Sequence, residues 1–389
     1  MNFKKTITVF LLALSCMLSV EASMWEKVKT FWNGNEDGDV NIKVLVADRV
    51  DSVNLEIRGG YNIYDPGSNS KVGARFFGKT NTVLPLEQGL KWGEEFPGIY
   101  QLSFIPDNPA TDILVNGVRY EGNVQLFQIG NKISVVNELY IEDYLKSSIS
   151  KNILEHKQEA SSAMVIAART EAYYHVSRGS HSFWHVDGSK IGFHGAVDID
   201  DSVADLVEGT RDIVMIRDSS YDKYFAARWT ENSAGKTAPF SLMFRQDMGA
   251  PEKGVTSPWA MQNRSDSKWS SVINRNELAD NIGAREISDI EVYRDEFSGK
   301  VYNLRMKTDA GYKDLSFLDL QDAFGPENII SSDFSFNLEG ENLILQGYGK
   351  GHGVGMCLYT ADVLADKGSN AAQILRTFFP DADVVRRKA

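Results

Sequence analysis

Gly347-Tyr348-Gly349-Lys350-Gly351-His352-Gly353-Val354-Gly355-Met356 is the most regular local pattern in the chain. Glycine takes every second position. One side of the backbone therefore carries no Cβ, and a second backbone or a ligand can come close there. Asn342-Leu343-Ile344-Leu345-Gln346 ahead of it reads as a strand, and Leu358 to Lys367, closed by Gly368, reads as a short helix with a glycine stop. A strand thus passes through a glycine turn, with His352 at its apex, into a helix. A phosphate cradle at the helix N-terminus is the generic reading of such a turn. This one lacks a Gly-Lys-Ser/Thr ending, and no Gly-x-Gly-x-x-Gly with an acidic residue downstream is present.

The spacing resembles the G-x-G-H-G-V-G-M signature of the stage II sporulation protein D family, which includes the amidase-enhancer proteins. The family continues S-Q-Y-G-A, where this chain has Cys357-Leu358-Tyr359-Thr360-Ala361. Arg119-Tyr120-Glu121-Gly122 approximates the family's Y-R-G strand, and Val136-Asn137-Glu138-Leu139-Tyr140-Ile141-Glu142-Asp143-Tyr144-Leu145 resembles V-V-N-x-L-x-x-E-D-Y-L. Glu159 to Thr170, ending Ala167-Ala168-Arg169-Thr170, resembles the E-A-L-K-A-Q-A-V-A-A-R-T helix. Glu208 to Met215 resembles A-T-R-G-x-V-L, and Gly254-Val255-Thr256-Ser257-Pro258-Trp259 resembles G-V-x-S-P-W. These segments run in the family's order over most of residues 112–380.

The 389 residues, 42% of them apolar, suffice for one large or two modest cores. Lys4 and Lys5, the apolar run Ile7 to Leu14, and Val20-Glu21-Ala22 before Ser23 form a secretory signal over residues 1–22. Cys16, after Ala13-Leu14-Ser15, offers a lipoprotein processing site as the rival reading. The run is short for a bilayer span, and no later stretch is long and apolar enough for one. Cleavage after Ala22 leaves Cys357 as the remaining cysteine, which excludes an internal disulfide and a cysteine-based zinc site. The same cut removes Lys4, Lys5 and Glu21 and takes the formal charge from −12 to −13. So acidic a chain is a poor partner for nucleic acid. An exported protein of the periplasm or cell envelope is expected.

Residues 23–39 read as a tether. Within it Trp25, Val28, Phe31 and Trp32 form a short amphipathic helix that caps the domain's own surface or lies on a membrane. Residues 40–111 form a strand-rich region and 112–389 the family-like domain. Strands are expected at Val40–Val46, Val53–Ile57, Ile113–Val115, Val124–Phe127 and Ile133–Val136, with turns at Gly59-Gly60, Pro66-Gly67 and Asn116-Gly117. From Glu142 to His175 the period turns helical, with Tyr144, Ile149, Ile153, Met164, Val165, Ala168 and Ala172 facing a core. Strands return at Ile213–Ile216, Tyr224–Ala227, Ile287–Tyr293, Val301–Lys307 and Leu343–Gln346. The fold class is α+β: an antiparallel-strand-rich N-terminal part followed by a mixed helix and strand core that forms a cleft.

The resemblance implies a peptidoglycan glycan substrate and lytic transglycosylation, with a wall amidase or division complex as partner and no cofactor. That reaction uses one carboxylic acid. It protonates the glycosidic oxygen and then, as carboxylate, takes the proton of the sugar's C6 hydroxyl, which closes on C1. The family's glutamate, in an E-M-P motif, falls at Asn152 counted from Leu145 or at Lys151 counted from Glu159; neither is an acid. Glu155, three residues on, is the candidate replacement if the segment is helical. Glu159 is a further candidate, with a helix-dipole role as its alternative. A chain that binds glycan without cutting it is the second reading, and an envelope scaffold the third.

For substrate contact the candidates are His352 with its flanks Gly351 and Gly353, Tyr348, Trp259, Ser233 and Arg169. Aromatic faces stack on sugar rings, and Trp184, Trp229 and Trp269 share the loop-like contexts of Trp259 and Tyr348. Ser233 belongs to Ser233-Ala234-Gly235-Lys236-Thr237, a partial match to the family's S-x-G-G-x-T loop. Arg169 is either a substrate contact or a buried ion-pair member. His175, His181, His185 and His194 fall within twenty residues, but their spacing matches no metal template, and Gly179 and Gly188 favour a loop there. No metal is expected.

Overall fold

The computed structural model describes residues 40–387 apart from 76, 150, 180–181, 197–198, 218–222 and 245–248. The signal segment, the tether with its Trp25–Trp32 helix, and His181 lie outside the described residues. The chain is α+β with largely antiparallel sheets, and its described residues fall into two compact units, one within 40–148 and 179–197, the other within 149–178 and 198–387.

Alternation builds the first unit. In strand Val53–Arg58, Val53, Leu55 and Ile57 are buried while Asn54 and Arg58 face water. It is the third strand of a six-stranded sheet whose order runs Val118–Tyr120, Asp112–Val115, Val53–Arg58, Lys79–Leu86, Gly89–Trp92, Glu94–Pro97. A seven-stranded sheet runs Val186–Asp187, Asn41–Val50, Lys132–Tyr140, Asn123–Ile129, Gln101–Pro106, Tyr61–Asp65, Ser70–Arg75. Asn116 and Gly117 both take positive φ (+50° and +84°) and join Asp112–Val115 to Val118–Tyr120 as a tight hairpin. Trp92 is fully buried and links the sheets. Its indole N–H donates to the Leu55 and Asn81 carbonyls, each at 3.1 Å. Its ring meets Phe104 and Tyr61 of the larger sheet edge-on, at 5.0 and 5.8 Å. Residues 112–140, which the motif matches group with the C-terminal part, hydrogen-bond into both of these sheets.

The second unit is organised around helix Gln158–Arg178, which packs on helices Leu358–Asp366 and Ala371–Phe378 and on strand Ile213–Ile216. This helix is buried on most sides rather than along one stripe: Ala160, Ala163 and Ala167 share one face, and Val165 and Arg169 on the opposite side are buried too. Of the expected core positions here and just upstream, Tyr144, Ile153, Met164, Val165 and Ala172 are buried; Ile149 and Ala168 are only half-buried. The expected single helical stretch is broken into helix Ile141–Ser148, a 3-10 turn Lys151–Glu155 and helix Gln158–Arg178. Two three-stranded antiparallel sheets also belong to the unit: Ile287–Arg294, Val301–Thr308 and Gly311–Ser316, and Lys268–Asn274, Asn342–Tyr348 and Phe334–Glu339. Their inner faces place Trp269, Leu304, Met306, Phe334 and Leu345 in one core. Trp269 therefore sits on a strand rather than a loop, with its ring largely buried and its N–H donated to Ser331 Oγ at 3.0 Å.

Replacing Trp92 by Ala removes the ring that links the two sheets, and about 3–5 kcal/mol of stability with it. The urea midpoint of the first unit, followed by far-ultraviolet circular dichroism, should fall; an unchanged midpoint would show that the sheets cohere without it.

Candidate functional site

The glycine turn is wrapped by segment 228–238. Trp229–Thr230 runs parallel to Met356–Cys357, and Asn232 and Lys350 exchange both backbone hydrogen bonds, at 3.0 and 2.9 Å. The Met356 amide donates to Arg228 O at 3.0 Å, and the Ala238 amide to Gly353 O at 2.8 Å. A Cβ on Gly355 would collide with the Arg228 carbonyl, and one on Gly351 with Thr230 Oγ1. Both glycines also have positive φ, +77° and +96°. The neighbour that needs the bare glycine side is thus this chain's own backbone. The amides of Gly351 and Gly353 donate to Ile330 O (2.8 Å) and Thr230 Oγ1 (3.2 Å). Expected as substrate contacts, these two residues instead give their donors to the protein.

Beneath the turn lies a buried charge node that the sequence reading missed. Lys300 is 2% exposed, and its ammonium donates to Asp333 Oδ2 at 2.8 Å and to Ser233 O at 2.6 Å. Arg264 forks onto both Asp333 oxygens at 2.8 and 2.9 Å, donates to Ala234 O at 2.7 Å, and lies over the Tyr348 ring at 4.3 Å. Ser332 Oγ donates to His352 O at 2.9 Å. Burial holds the Lys300 ammonium below the ordinary lysine range, although Asp333 opposes the shift. Ser233 is fully buried: its amide donates to Cys357 Sγ at 3.3 Å and its carbonyl accepts from Lys300. Tyr348 and Ser233, chosen as substrate contacts, are thereby placed around this node.

His352 is partly buried. Its Nδ1 accepts the Val354 amide at 3.1 Å. A backbone N–H can only donate, so the neutral ring carries its proton on Nε2. Burial, then the Arg228 cation, bring its pKa from 6.5 to about 3. The ring meets Phe244 edge-on at 5.0 Å, and the Arg228 guanidinium lies 5.3 Å from the same Phe244 ring. Arg228 pairs with Glu171 at 2.8 Å, and Glu171 lies 3.3 Å from His175 Nε2. Glu171 is 8% exposed. Its place four residues before His175, two after Arg169, was the signal in the sequence that could have found this cluster.

A cleft of ≈ 440 Å³ opens on the other flank of the turn, lined by His156, Glu231, Asn232, Gly349, Lys350 and Asp362 among others. Lys350 and Glu231 pair across it at 2.6 Å. Asp362 bonds His156 Nδ1 and accepts the Lys157 amide, each at 2.8 Å, fixing the 3-10 turn Lys151–Glu155 against helix Leu358–Asp366. Asn152 and Glu155 are both exposed. In a 3-10 helix residues i and i+3 eclipse, so Glu155 projects from the same edge as Asn152. Glu159 accepts the Ala371 amide at 2.7 Å, at the start of helix Ala371–Phe378. The carboxylate thus serves the N-terminus of a second helix, besides standing in the first turn of its own.

Trp259 is half-buried on helix Pro258–Gln262, with the Lys367 ammonium 5.9 Å from its ring. Arg169 is fully buried and donates to the Val207 and Ile213 carbonyls at 3.0 and 3.2 Å; its place is in the core, bracing strand Ile213–Ile216, and not on a cleft wall. Trp229 is half-buried on its short strand, and in the first unit Trp184 packs on Leu45, Phe127 and Val136. His185 Nδ1 accepts the Lys43 amide at 3.1 Å, and His194 is exposed. Among the described residues no group of three or more His, Cys, Asp or Glu is arranged to hold a metal ion.

Two outcomes test this geometry. Lys300→Met leaves Asp333 with one cation in a buried place and should cost about 3–5 kcal/mol, with Asp333→Asn costing less in that background than alone; additive effects would show that the pair is not coupled. For His352 the folded pKa lies below the unfolded one, so the unfolded chain takes up a proton first as pH falls through 6.5 toward about 3. Stability contributed by the neutral ring is complete above 6.5 and is lost across that window. The His352 ring resonances should hold still between about pH 8 and pH 5, and His352→Gln should flatten the acid loss; a midpoint near the ordinary histidine value would refute this.

A model of the stage II sporulation protein family matches residues 129–216. An uncharacterised protein of Brachyspira hyodysenteriae is 26% identical over 354 residues, 88% of this chain and 92% of the relative. Uncharacterised proteins of Chlamydia pneumoniae and Chlamydia muridarum are 33% and 30% identical, over 47% and 54% of this chain and 68% and 75% of theirs. The matched span runs from strand Lys132–Tyr140 through the 3-10 turn and the Gln158–Arg178 helix to strand Ile213–Ile216. On these matches the chain belongs to the stage II sporulation protein D family, whose role is related to sporulation and the cell wall.

Proposed function

We propose that this is an exported cell-envelope protein that acts on the glycan strands of peptidoglycan as a lytic transglycosylase, with Glu155 as its acid. The observation that carries the reading is the 3-10 turn. It sets Glu155 on the edge of Asn152, one of the two positions on which the family's glutamate falls, and next to His156, which lines the cleft beside Gly349 and Lys350. In the first half of the reaction Glu155 gives its proton to the glycosidic oxygen and the C1–O bond breaks. In the second its carboxylate takes the C6 hydroxyl proton as the C6 oxygen bonds to C1, leaving a 1,6-anhydro end. Lys350, Asn232 and Glu231 supply donors and acceptors for sugar hydroxyls.

One observation favours a second reading. Glu155 is exposed, whereas a general acid is usually enclosed by apolar groups that keep it protonated. A chain of this kind holds glycan, or stimulates a partner wall amidase, without cutting. Digestion of purified peptidoglycan, with and without stem peptides, decides between them when anhydro ends are read by mass spectrometry. The enzyme reading expects such ends from the native chain and a loss of about 10²–10⁴-fold in Glu155→Gln. Glu159→Gln should leave the product yield near native, its carboxylate being bound to helix Ala371–Phe378. A silent native chain that still sediments with peptidoglycan, and gains activity in Asn152→Glu, establishes the binding reading.

A further inference from the structure

The cleft beside the glycine turn holds two side chains to which the proposed reaction gives no task. His156 Nδ1 lies 2.8 Å from Asp362 Oδ2, and Asp362 Oδ1 accepts the Lys157 amide, also at 2.8 Å. Both residues line the cleft, and 24% and 28% of their side-chain surface stays open. As a clamp between the turn Lys151–Glu155 and helix Leu358–Asp366 the pair needs no imidazole. The Lys157 amide bond to Asp362 and the Lys157–Asp366 ion pair at 3.0 Å already make that clamp.

What the carboxylate does fix is the tautomer of the ring. A backbone N–H can only donate, so Asp362 Oδ1 is taken by Lys157. A carboxylate has no hydrogen to give, so the hydrogen between Oδ2 and Nδ1 belongs to the imidazole. In the neutral ring Nε2 then carries a bare lone pair. Among the described residues nothing hydrogen-bonds Nε2, and it is not one of the buried polar atoms left without a partner. Lys350 lines the same cleft with its N–H donors, and Glu231 beside it already takes the Lys350 ammonium at 2.6 Å. A sugar hydroxyl both accepts and donates. Lys350 can serve its oxygen, and His156 Nε2 is an acceptor with no partner of its own for its hydrogen.

We propose that His156 contacts the substrate in this cleft, accepting the hydrogen of a sugar hydroxyl on Nε2, and that Asp362 is the positioning residue that keeps Nε2 bare. The assignment rests on the glycan reading and holds whether the chain cuts the strand or only holds it. Asp362→Asn tests it, because a carboxamide has one oxygen for two donors. That oxygen stays with the Lys157 amide, which cannot accept, so the side-chain NH2 turns to His156 Nδ1 and the ring hydrogen moves to Nε2. The clamp survives, and the acceptor becomes a donor. Heteronuclear magnetic resonance of the histidine ring nitrogens in the full chain should show Nε2 bare in the native protein and protonated in Asp362→Asn. Binding to purified peptidoglycan, read by sedimentation, should weaken about tenfold in Asp362→Asn and as much in His156→Phe, as the loss of one hydrogen bond does. A native ring with its hydrogen on Nε2, or native binding in both variants, overturns the proposal and leaves the glycan reading standing. A native chain that does not sediment with peptidoglycan overturns both.

Discussion

The contact between Lys300 and Asp333 constrains the rest of the second unit. An ammonium at 2% exposure is tolerable only with its hydrogens given to acceptors, and here they go to Asp333 and to the Ser233 carbonyl. Arg264 supplies the second cation that Asp333 needs and reaches on to Ala234. Segments 233–234, 264, 300 and 331–333 are thus fixed at one point, and the glycine turn lies over it. A Cβ on Gly353 would press on the Lys300 stem and Ser332 Oγ. Such a node adds little net stability over an apolar core of equal volume, but it specifies one arrangement and penalises others heavily.

That arrangement sets two different surfaces on the flanks of the turn. On one, His352 is kept neutral by burial and by Arg228, with its proton on Nε2, and Glu171 lies between Arg228 and His175. On the other, the cleft mixes Lys350, Glu231, His156 and Asp362 around open volume. The first is tightly paired and suited to holding the turn in shape. The second has polar groups around open volume, and His156, which follows the 3-10 turn, is among the residues that line it. In the proposed function the first flank holds the turn in shape and the cleft receives the substrate.

The resemblance to the family was legible because its segments are local and ordered. The glycine pattern, the Val136–Leu145 strand-to-helix passage and the Ala167–Thr170 helix each lie within one element or two that follow each other in the chain. The role of Arg169 was not legible. An arginine in an apolar helix has the same spacing whether it meets sugar or, as here, the Val207 and Ile213 carbonyls. Glu155 shows the intermediate case. Its separation from Asn152 was plain in the sequence, but only a 3-10 rather than an α turn aligns the two on one edge.

Local physics could be read along the chain: alternation gave Val53–Arg58 its buried face, Asn116-Gly117 made the tight hairpin, and Gly368 ended helix Leu358–Asp366. Each depends on residues within a few positions of one another. The tertiary structure alone decided what fills the bare side of the glycine turn, namely backbone 228–232, more than a hundred residues away in the chain. It alone paired Lys300 with Asp333 and Glu171 with Arg228, and left Asn123 Oδ1 unpartnered beside Glu138. The reason is that a buried charge or amide takes its partner from whatever packing brings within about 3 Å, and sequence spacing carries no record of that approach.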